Sequence, residues 1–439
     1  MKRADGIMMP VTVIGAGLAG CEAALQCARQ GVPVRLYEMR PKIMTPAHQT
    51  GEVAELVCSN SLKSEEITNA HGLLKAELKI YGSFLLQCAE RAKIPGGKAL
   101  VVDRRRFSEE VTNELTRREV EIVREEVKEV PDAITIIATG PLTSEAMAQE
   151  MKNILGTNHL FYYDAIAPIV AAESLNMEKM FWASRYGKGN DYLNAPLTED
   201  EYDRLVEELA RAELHPVHDF EKIPFFEGCL PIEELAKRDR LALAYGPLKP
   251  VGLVDSQGRK KTFAVVQLRK ENAAGTMFNL VGFQTRLRRA EQERVFRMIP
   301  GLEQAVFLRY GSIHRNTFLN APAVLLPTLQ TKFHNNLFVA GQLTGVEGYV
   351  EAIATGLIAG INAAKIARGE MPVTISEETI LGALLNYITT PHPNFQPMNA
   401  NFGLLPPLSQ PAQGLKKKLL FAARSLSAVS ECYKNLFSS

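Results

Sequence analysis

Val11-Thr12-Val13-Ile14-Gly15-Ala16-Gly17-Leu18-Ala19-Gly20 joins a β-branched apolar run directly to a G-x-G-x-x-G. The small-residue stretch Cys21 to Gln30, closed by Gly31, predicts a helix. Val34-Arg35-Leu36-Tyr37 then reads as a second strand, ending in Glu38, 18 residues after Gly20. Strand, glycine turn, helix, strand and acid in this register make a βαβ dinucleotide-binding unit. The chemistry requires the spacing: Gly15 permits a tight turn, Gly17 lets backbone N–H groups approach a pyrophosphate, and Gly20 lets the helix pack closely. The helix N-terminus adds partial positive charge for phosphates. Glu38 is placed to accept hydrogen bonds from ribose hydroxyls. Gly15, Ala16, Gly17, Leu18, Ala19, Gly20 and Glu38 are therefore the expected cofactor-binding residues of this half.

Two later segments extend the reading. Ala133-Ile134-Thr135-Ile136-Ile137-Ala138-Thr139-Gly140-Pro141 is an apolar strand ending in Ala-Thr-Gly, similar to the second signature of two-dinucleotide-fold flavoproteins. Asn336-Leu337-Phe338-Val339-Ala340-Gly341-Gln342 is a strand meeting glycine, and it continues through Gly345-Val346-Glu347-Gly348-Tyr349 into a predicted helix, Val350 to Ala367. The N-terminus of such a helix favours the negative charge that builds up on a flavin as it is reduced, which puts Gly341 and Gln342 near the flavin. Ala352, Gly356 and Gly360 share one face and are expected to let this helix lie close to the sheet.

The two signatures stand about 325 residues apart, so the FAD domain is expected to be discontinuous. The fold class expected is α/β, a Rossmann-like FAD-binding domain of the two-dinucleotide-fold type carrying an inserted α+β domain. The expected division is 1–160, first part of the FAD domain; 161–329, insert; and 330–439, second part with a basic C-terminal segment. Between 161 and 329 the character changes to aromatic clusters (Phe161-Tyr162-Tyr163, Phe181-Trp182), an acidic helix (Glu199 to Glu213) and a strand-like run (Thr262 to Leu268). Pro391 to Pro411 reads as a long loop ahead of Gly414 to Arg424, which holds Lys416-Lys417-Lys418.

Composition bounds the function classes. With 439 residues, 46% of them hydrophobic and 23% charged, the chain is an ordinary multidomain globular protein, and disordered or coiled-coil readings fall away. Fifty basic against 49 acidic residues give a net charge of +1, so a polyanion must be met by a local patch. Arg104-Arg105-Arg106, Arg259-Lys260-Lys261 and Arg286 through Arg297 are candidates. No run of 18 consecutive apolar residues predicts a bilayer-spanning helix. The N-terminal apolar stretch ends in the glycine motif and is expected to be retained. No metal site is expected.

Six cysteines without a C-x-x-C pair point to a reducing cytoplasm. Cys21, Cys27 and Cys88 fall on apolar helix positions and Cys432 in a polar tail, so all four read as structural or incidental. Cys58, in Leu56-Val57-Cys58-Ser59-Asn60-Ser61-Leu62-Lys63, enters a polar turn with a lysine nearby. Cys229, in Phe226-Glu227-Gly228-Cys229-Leu230-Pro231, precedes a helix start. Both contexts suit reactive thiolates.

Together, Gly15 to Ala24, Leu56 to Ser61, Phe226 to Glu233 and Gly341 to Tyr349 resemble the bacterial folate- and FAD-dependent tRNA (uracil-5-)-methyltransferases, over nearly the full length. The resemblance implies 5-methyluridine formation in the T-loop of tRNA. Methylenetetrahydrofolate would be the carbon donor, and FAD, reduced by NADH or NADPH, the electron donor. In that chemistry a thiolate adds to uracil carbon 6 and turns carbon 5 into a nucleophile. The transferred carbon arrives at the formaldehyde level, and two electrons make it a methyl. Cys58 and Cys229 match the family's catalytic pair, with Cys229 assigned to carbon 6 and Cys58 placed near the flavin; the reverse assignment stays open. Tyr349 resembles an aromatic that stacks on the folate pterin. Two other readings are a wobble-uridine-modifying flavoenzyme or other flavin–thiol oxidoreductase, and an RNA-binding protein that keeps FAD as a structural ligand.

Overall fold

A computed structural model describes residues 9–156, 160–215, 230–253, 262–392 and 395–437. The β-branched run forms the buried strand Val11–Ile14, which pairs in parallel with Val34–Tyr37 on one side and Thr135–Ile137 on the other. Glu121–Val123 extends one edge and Leu337–Val339 the other, completing a five-stranded parallel sheet. A sheet covered on both faces reads as continuous apolar runs rather than alternation, which is how its three strands leading to Gly15, Gly140 and Gly341 were legible.

The first helix is Leu18–Arg29, three residues longer at its start than composition indicated, with Gly17 as its extended N-cap. Gly20 thus lies inside the first turn, where a Cβ would fall 1.8 Å from the Gly15 carbonyl oxygen. The second helix of this layer is Tyr349–Arg368, almost wholly buried. Its small-residue face corrects the expectation: the close approach is to the first helix, not to the sheet. A Cβ on Gly356 would lie 2.2 Å from the Ala19 carbonyl oxygen, and one on Gly360 2.4 Å from that of Ala23. Four-residue spacing defines a helix face but not the surface it meets. This helix also has the length and mean hydropathy (1.4) of a membrane span, yet 94% of that window is buried inside the protein.

A six-stranded sheet follows in the order Phe181–Trp182, Tyr192–Leu197, Ala264–Lys270, Met277–Leu280, Ile169–Ala171 and Phe307–Arg309, with every pair antiparallel. It is backed by the acidic helix Glu199–Arg211, which opens with a capping box between Thr198 and Glu201. Tyr202, Leu205 and Leu209 of that helix join Val266, Leu268 and Phe278 in a separate core drawn from residues 167–307. The other core takes its residues from both ends of the chain. The fold is α/β, Rossmann-like and of the FAD-binding type, with an α+β insert.

The basic segment opens the long helix Gly414–Phe437. Cys432, expected in a polar tail, lies on this helix and packs against the first core. Buried Phe421, Ala422, Ser425 and Val429 supply the helical stripe that holds it there.

Close approach of the two long helices predicts that Gly360→Val forces backbone apart. Overpacking of this kind costs about 1–3 kcal/mol or more, so the urea midpoint should fall. An unchanged midpoint would show that the interface is looser than described.

Candidate functional site

Two adjoining cavities lie beside the parallel sheet, and the second is also lined by Ile166, Arg269, Gln284 and Asn316 of the insert. The first is walled by Gly15, Gly17, Leu18, Ala19, Glu38, Arg40, Thr139, Gly140 and Gly341. Gly15 adopts φ +100°, and a Cβ there would sit 2.6 Å from the Ala138 carbonyl oxygen, so the turn itself requires glycine. At Gly17 a Cβ would meet no protein atom within 4 Å. Gly17 therefore leaves room on the cavity side, and no side chain caps the helix that begins there. Open backbone N–H groups and an empty Cβ position suit the pyrophosphate of a dinucleotide. Gly341, at φ +77°, would carry its Cβ 3.0 Å from the Ala19 side chain, so the far signature closes directly onto the first.

Glu38 differs from the expectation in detail. Its carboxylate accepts from Ala16 N at 3.1 Å, from Arg40 N and Nε at 3.0 Å each, and from Arg40 Nη2 at 3.0 Å. Burial alone would push its carboxyl up, but the Arg40 guanidinium outweighs that and holds it below the usual range. Four donors fill the usual lone-pair sites, so a ribose hydroxyl would share or displace one of them. Arg40, buried itself, also bonds Glu55 at 2.9 Å. Sequence reasoning passed over Arg40, although it stands two residues beyond the acid.

The second cavity is walled by Cys58, Ser59, Ser61, Lys63, Arg269, Asn316, Gly348, Glu351 and Asn399. Val57, Pro141, Leu142, Gln342 and Tyr349 line both cavities. The half-buried Cys58 thus stands beside the dinucleotide cradle without lining it.

Strong contacts hold the Cys58 turn from both domains. The Tyr349 hydroxyl accepts from Cys58 N at 2.8 Å and Ser59 N at 3.0 Å. Burial pushes that phenol up, with the neighbouring Cys58 adding to the effect. Arg104 donates to the carbonyls of Leu56 and Cys58 and pairs with buried Glu271 at 2.5 Å. Burial opposes its charge, but Glu271 prevails and raises its pKa. From the insert, Arg269 donates to Asn60 Oδ1 and Ser59 Oγ, each at 2.8 Å. Asn60 in turn donates to the carbonyls of Val102 and Lys270.

Glu351 was also missed. Its Oε1 meets His71 Nδ1 and Ala400 N, both at 3.0 Å, while among the described residues Oε2 has no hydrogen-bond partner. Burial would raise its carboxyl, but His71 and then the Lys63 charge outweigh that and leave it at about 2. Position three of a long apolar helix offered no signal for such a contact.

Of the predicted site residues, Gly15, Gly17, Leu18, Ala19, Glu38, Gly341, Gln342 and Tyr349 line the first cavity and Cys58 the second, while Ala16 and Gly20 line neither. Cys229 lies outside the described residues. Ile232 follows it in the chain, and its N–H donates to Gln284 O at 2.7 Å; Gln284 lines the second cavity. Among the described residues no group of three or more His, Cys, Asp or Glu could hold a metal.

A family model described as glucose inhibited division protein A matches residues 10–371. The Methylenetetrahydrofolate--tRNA-(uracil-5-)-methyltransferase TrmFO of Heliobacterium modesticaldum is 54% identical over 420 residues, covering 95% of this chain and 96% of the relative. Its namesake from Aquifex aeolicus is 55% identical over 428 residues, covering 97% and 96%. This chain belongs to that TrmFO family. Among solved structures, Aquifex aeolicus GidA (form I crystal) aligns with a TM-score of 0.71 at 18% identity, covering 97% of this chain and 76% of that one. At that identity the likeness speaks for the fold, which the TrmFO family thus shares with GidA.

The basic runs reach different ends. Arg104 is spent on the Cys58 turn, and Arg105 pairs with Glu109. Arg286, Arg288, Arg294 and Arg297 all pair with acids, among them Glu234, Glu213, Glu208 and Glu293. Arg259-Lys260-Lys261 lie outside the described residues. Lys416, Lys417 and Lys418 are exposed.

The Arg104–Glu271 contact makes a direct prediction. Breaking a buried pair from one side costs about 3–5 kcal/mol, so Arg104→Met should lower the unfolding free energy by roughly that amount. Adding Glu271→Gln should restore part of it. Strict additivity in the double-mutant cycle would mean that the two groups do not interact.

Proposed function

We propose that this chain methylates carbon 5 of the T-loop uridine of tRNA, with methylenetetrahydrofolate as carbon donor and NADH or NADPH as the source of electrons through FAD. One observation carries the reading: the dinucleotide cradle and the cavity that holds Cys58 share five wall residues. A thiol, a flavin and a folate could thereby meet at one place. The names of the relatives add the carbon donor and the tRNA substrate. A methyltransferase whose donor already carried a methyl would need no reductant beside its nucleophile.

FAD fits the first cavity, where Gly15, Gly17 and the first turn of the helix Leu18–Arg29 would hold the pyrophosphate, and it would supply the hydride that takes a methylene to a methyl. The protein groups do the rest. Cys229 is the proposed nucleophile on uracil carbon 6. Cys58 is the proposed partner near the flavin, taking the carbon 5 proton or assisting carbon transfer. Tyr349 is tied through its hydroxyl to the Cys58 turn, so we assign it a positioning role there; its ring remains available to stack on the pterin. The same reading divides the chain at about residues 160 and 330, and places the enzyme in the cytoplasm.

Incubation of the purified protein with methylenetetrahydrofolate, NADH or NADPH, and a T-loop transcript should yield 5-methyluridine. Cys58→Ala and Cys229→Ala should each lower the rate by about a hundredfold or more. An adduct to 5-fluorouracil RNA, lost in one variant only, would identify the nucleophile. Full methylation by both variants would refute the mechanism. A flavin that neither NADH nor NADPH reduces would favour FAD as a structural ligand.

A further inference from the structure

Ser59, Ser61 and Lys63 alternate along the segment that leaves the cysteine turn, and all three line the second cavity. The hydrogen bonds of this row run in one sense. Ser59 Oγ accepts from Ser61 N at 3.1 Å and from Arg269 Nη2 at 2.8 Å. Ser61 Oγ accepts from Lys63 N at 3.1 Å. Each hydroxyl oxygen is thus taken up as an acceptor, and among the described residues neither hydroxyl donates to a protein group. Each keeps its proton to give.

Lys63 completes the row. Among the described residues it forms no ion pair, whereas Arg269, the other basic wall residue, is spent on Ser59, Asn60 and Asn279. The wall also carries two acids, Glu347, only 7% exposed, and fully buried Glu351, whose carboxylate the charge of the partly open Lys63 helps to hold ionised. Lys63 also adopts φ +62°, a left-handed conformation uncommon for a residue with a side chain. Its surroundings enforce it. The register slips between Ser61 and Ser64, and the buried Lys75 ammonium donates to the Leu62 carbonyl at 2.7 Å.

We propose that Ser59, Ser61 and Lys63 form an oxyanion-binding row for a substrate held in the second cavity. The ligand chemistry is a carboxylate or phosphate oxygen, which two hydroxyls and an ammonium can bind by charge-assisted hydrogen bonds. Two sources fit: the glutamate tail of the folate and a phosphate of the T-loop RNA. The inference rests on the function proposed above.

The test uses the full-length flavoprotein with Lys63→Asn and Lys63→Arg. Asn tolerates the left-handed conformation, and melting temperature with flavin content checks that each variant folds. Methylation is followed with mono- and pentaglutamyl methylenetetrahydrofolate and with T-loop RNA at several salt concentrations. If the tail is bound, Lys63→Asn should raise KM for the pentaglutamyl donor about tenfold, the equivalent of about 1.4 kcal/mol, and narrow its advantage over the monoglutamyl form. If RNA is bound, KM for RNA should rise instead, and its salt dependence should weaken by about one phosphate contact. Lys63→Arg should stay near wild type in either case. In the wild-type protein, pteroylpentaglutamate or T-loop RNA should protect Lys63 from acetylation, as read by mass spectrometry, a result independent of any variant's folding. Unchanged KM values for both substrates, or no protection by either, would overturn the row. A wild-type protein that makes no 5-methyluridine would instead overturn the parent function.

Discussion

The fold depends on one backbone-to-backbone contact, that between the helices Leu18–Arg29 and Tyr349–Arg368. Gly356 and Gly360 leave space into which the carbonyls of Ala19 and Ala23 fit, and Cys27 Sγ donates to the Gly360 carbonyl at 3.1 Å. Apolar side chains could also have joined two helices, but at a greater axial separation. The close contact brings the last third of the chain against the first turn of the dinucleotide motif, so Gly341 comes to rest against Ala19. A cofactor site assembled from distant segments needs such an anchor, because the closure entropy of a long intervening insert must be offset before the site exists.

A second requirement is the placement of a thiol at the seam of two domains. Loops are ordinarily the more mobile parts of a structure, yet the Cys58 turn is gripped by Tyr349, Arg104 and Arg269 from three separate elements. Two of these grips belong to the FAD-binding half and one to the insert. The turn is thus held by side chains from both regions, through its backbone, the Asn60 amide and the Ser59 hydroxyl. Buried networks of this sort fix geometry when every member is satisfied. Among the described residues Glu271 Oε1 has no hydrogen-bond partner, which marks where this network is incomplete.

Much of this was legible in the sequence, for reasons that particular residues make plain. Val11 to Gly20 combines a strand period with glycines demanded by steric closure, and both signals are local. Cys58 stood out because a thiol among Ser and Asn departs from the apolar setting of Cys21 and Cys27. What escaped was contact made across the chain. Arg104 looked like the start of a surface run, although its side chain turns inward to carbonyls some 46 to 48 residues earlier. The small-residue face of Tyr349–Arg368 was recognised, but its partner was not, since a helix face carries no label for the surface opposite. Glu38 was identified as an acceptor, and its saturation by Arg40 depended on side-chain geometry that spacing does not encode.

Charge gives the clearest case of local sequence misleading. Arg286 through Arg297 is as dense in arginine as a nucleic-acid footprint, yet Arg286, Arg288, Arg294 and Arg297 pair with Glu234, Glu213, Glu208 and the interleaved Glu291 and Glu293, while Arg289 lies over the Tyr310 ring. Surface ion pairs of this kind contribute little stability, about 0–1 kcal/mol each, but they cancel the field that would attract phosphate. Lys416, Lys417 and Lys418 sit at the start of a helix whose buried stripe begins only at Phe421, and among the described residues none of the three forms an ion pair. Near-neutrality of the whole chain is thus the sum of a neutralised arginine surface and small positive regions elsewhere. The relevant quantity for a tRNA substrate is the charge that remains unpaired after folding, which tertiary contacts decide.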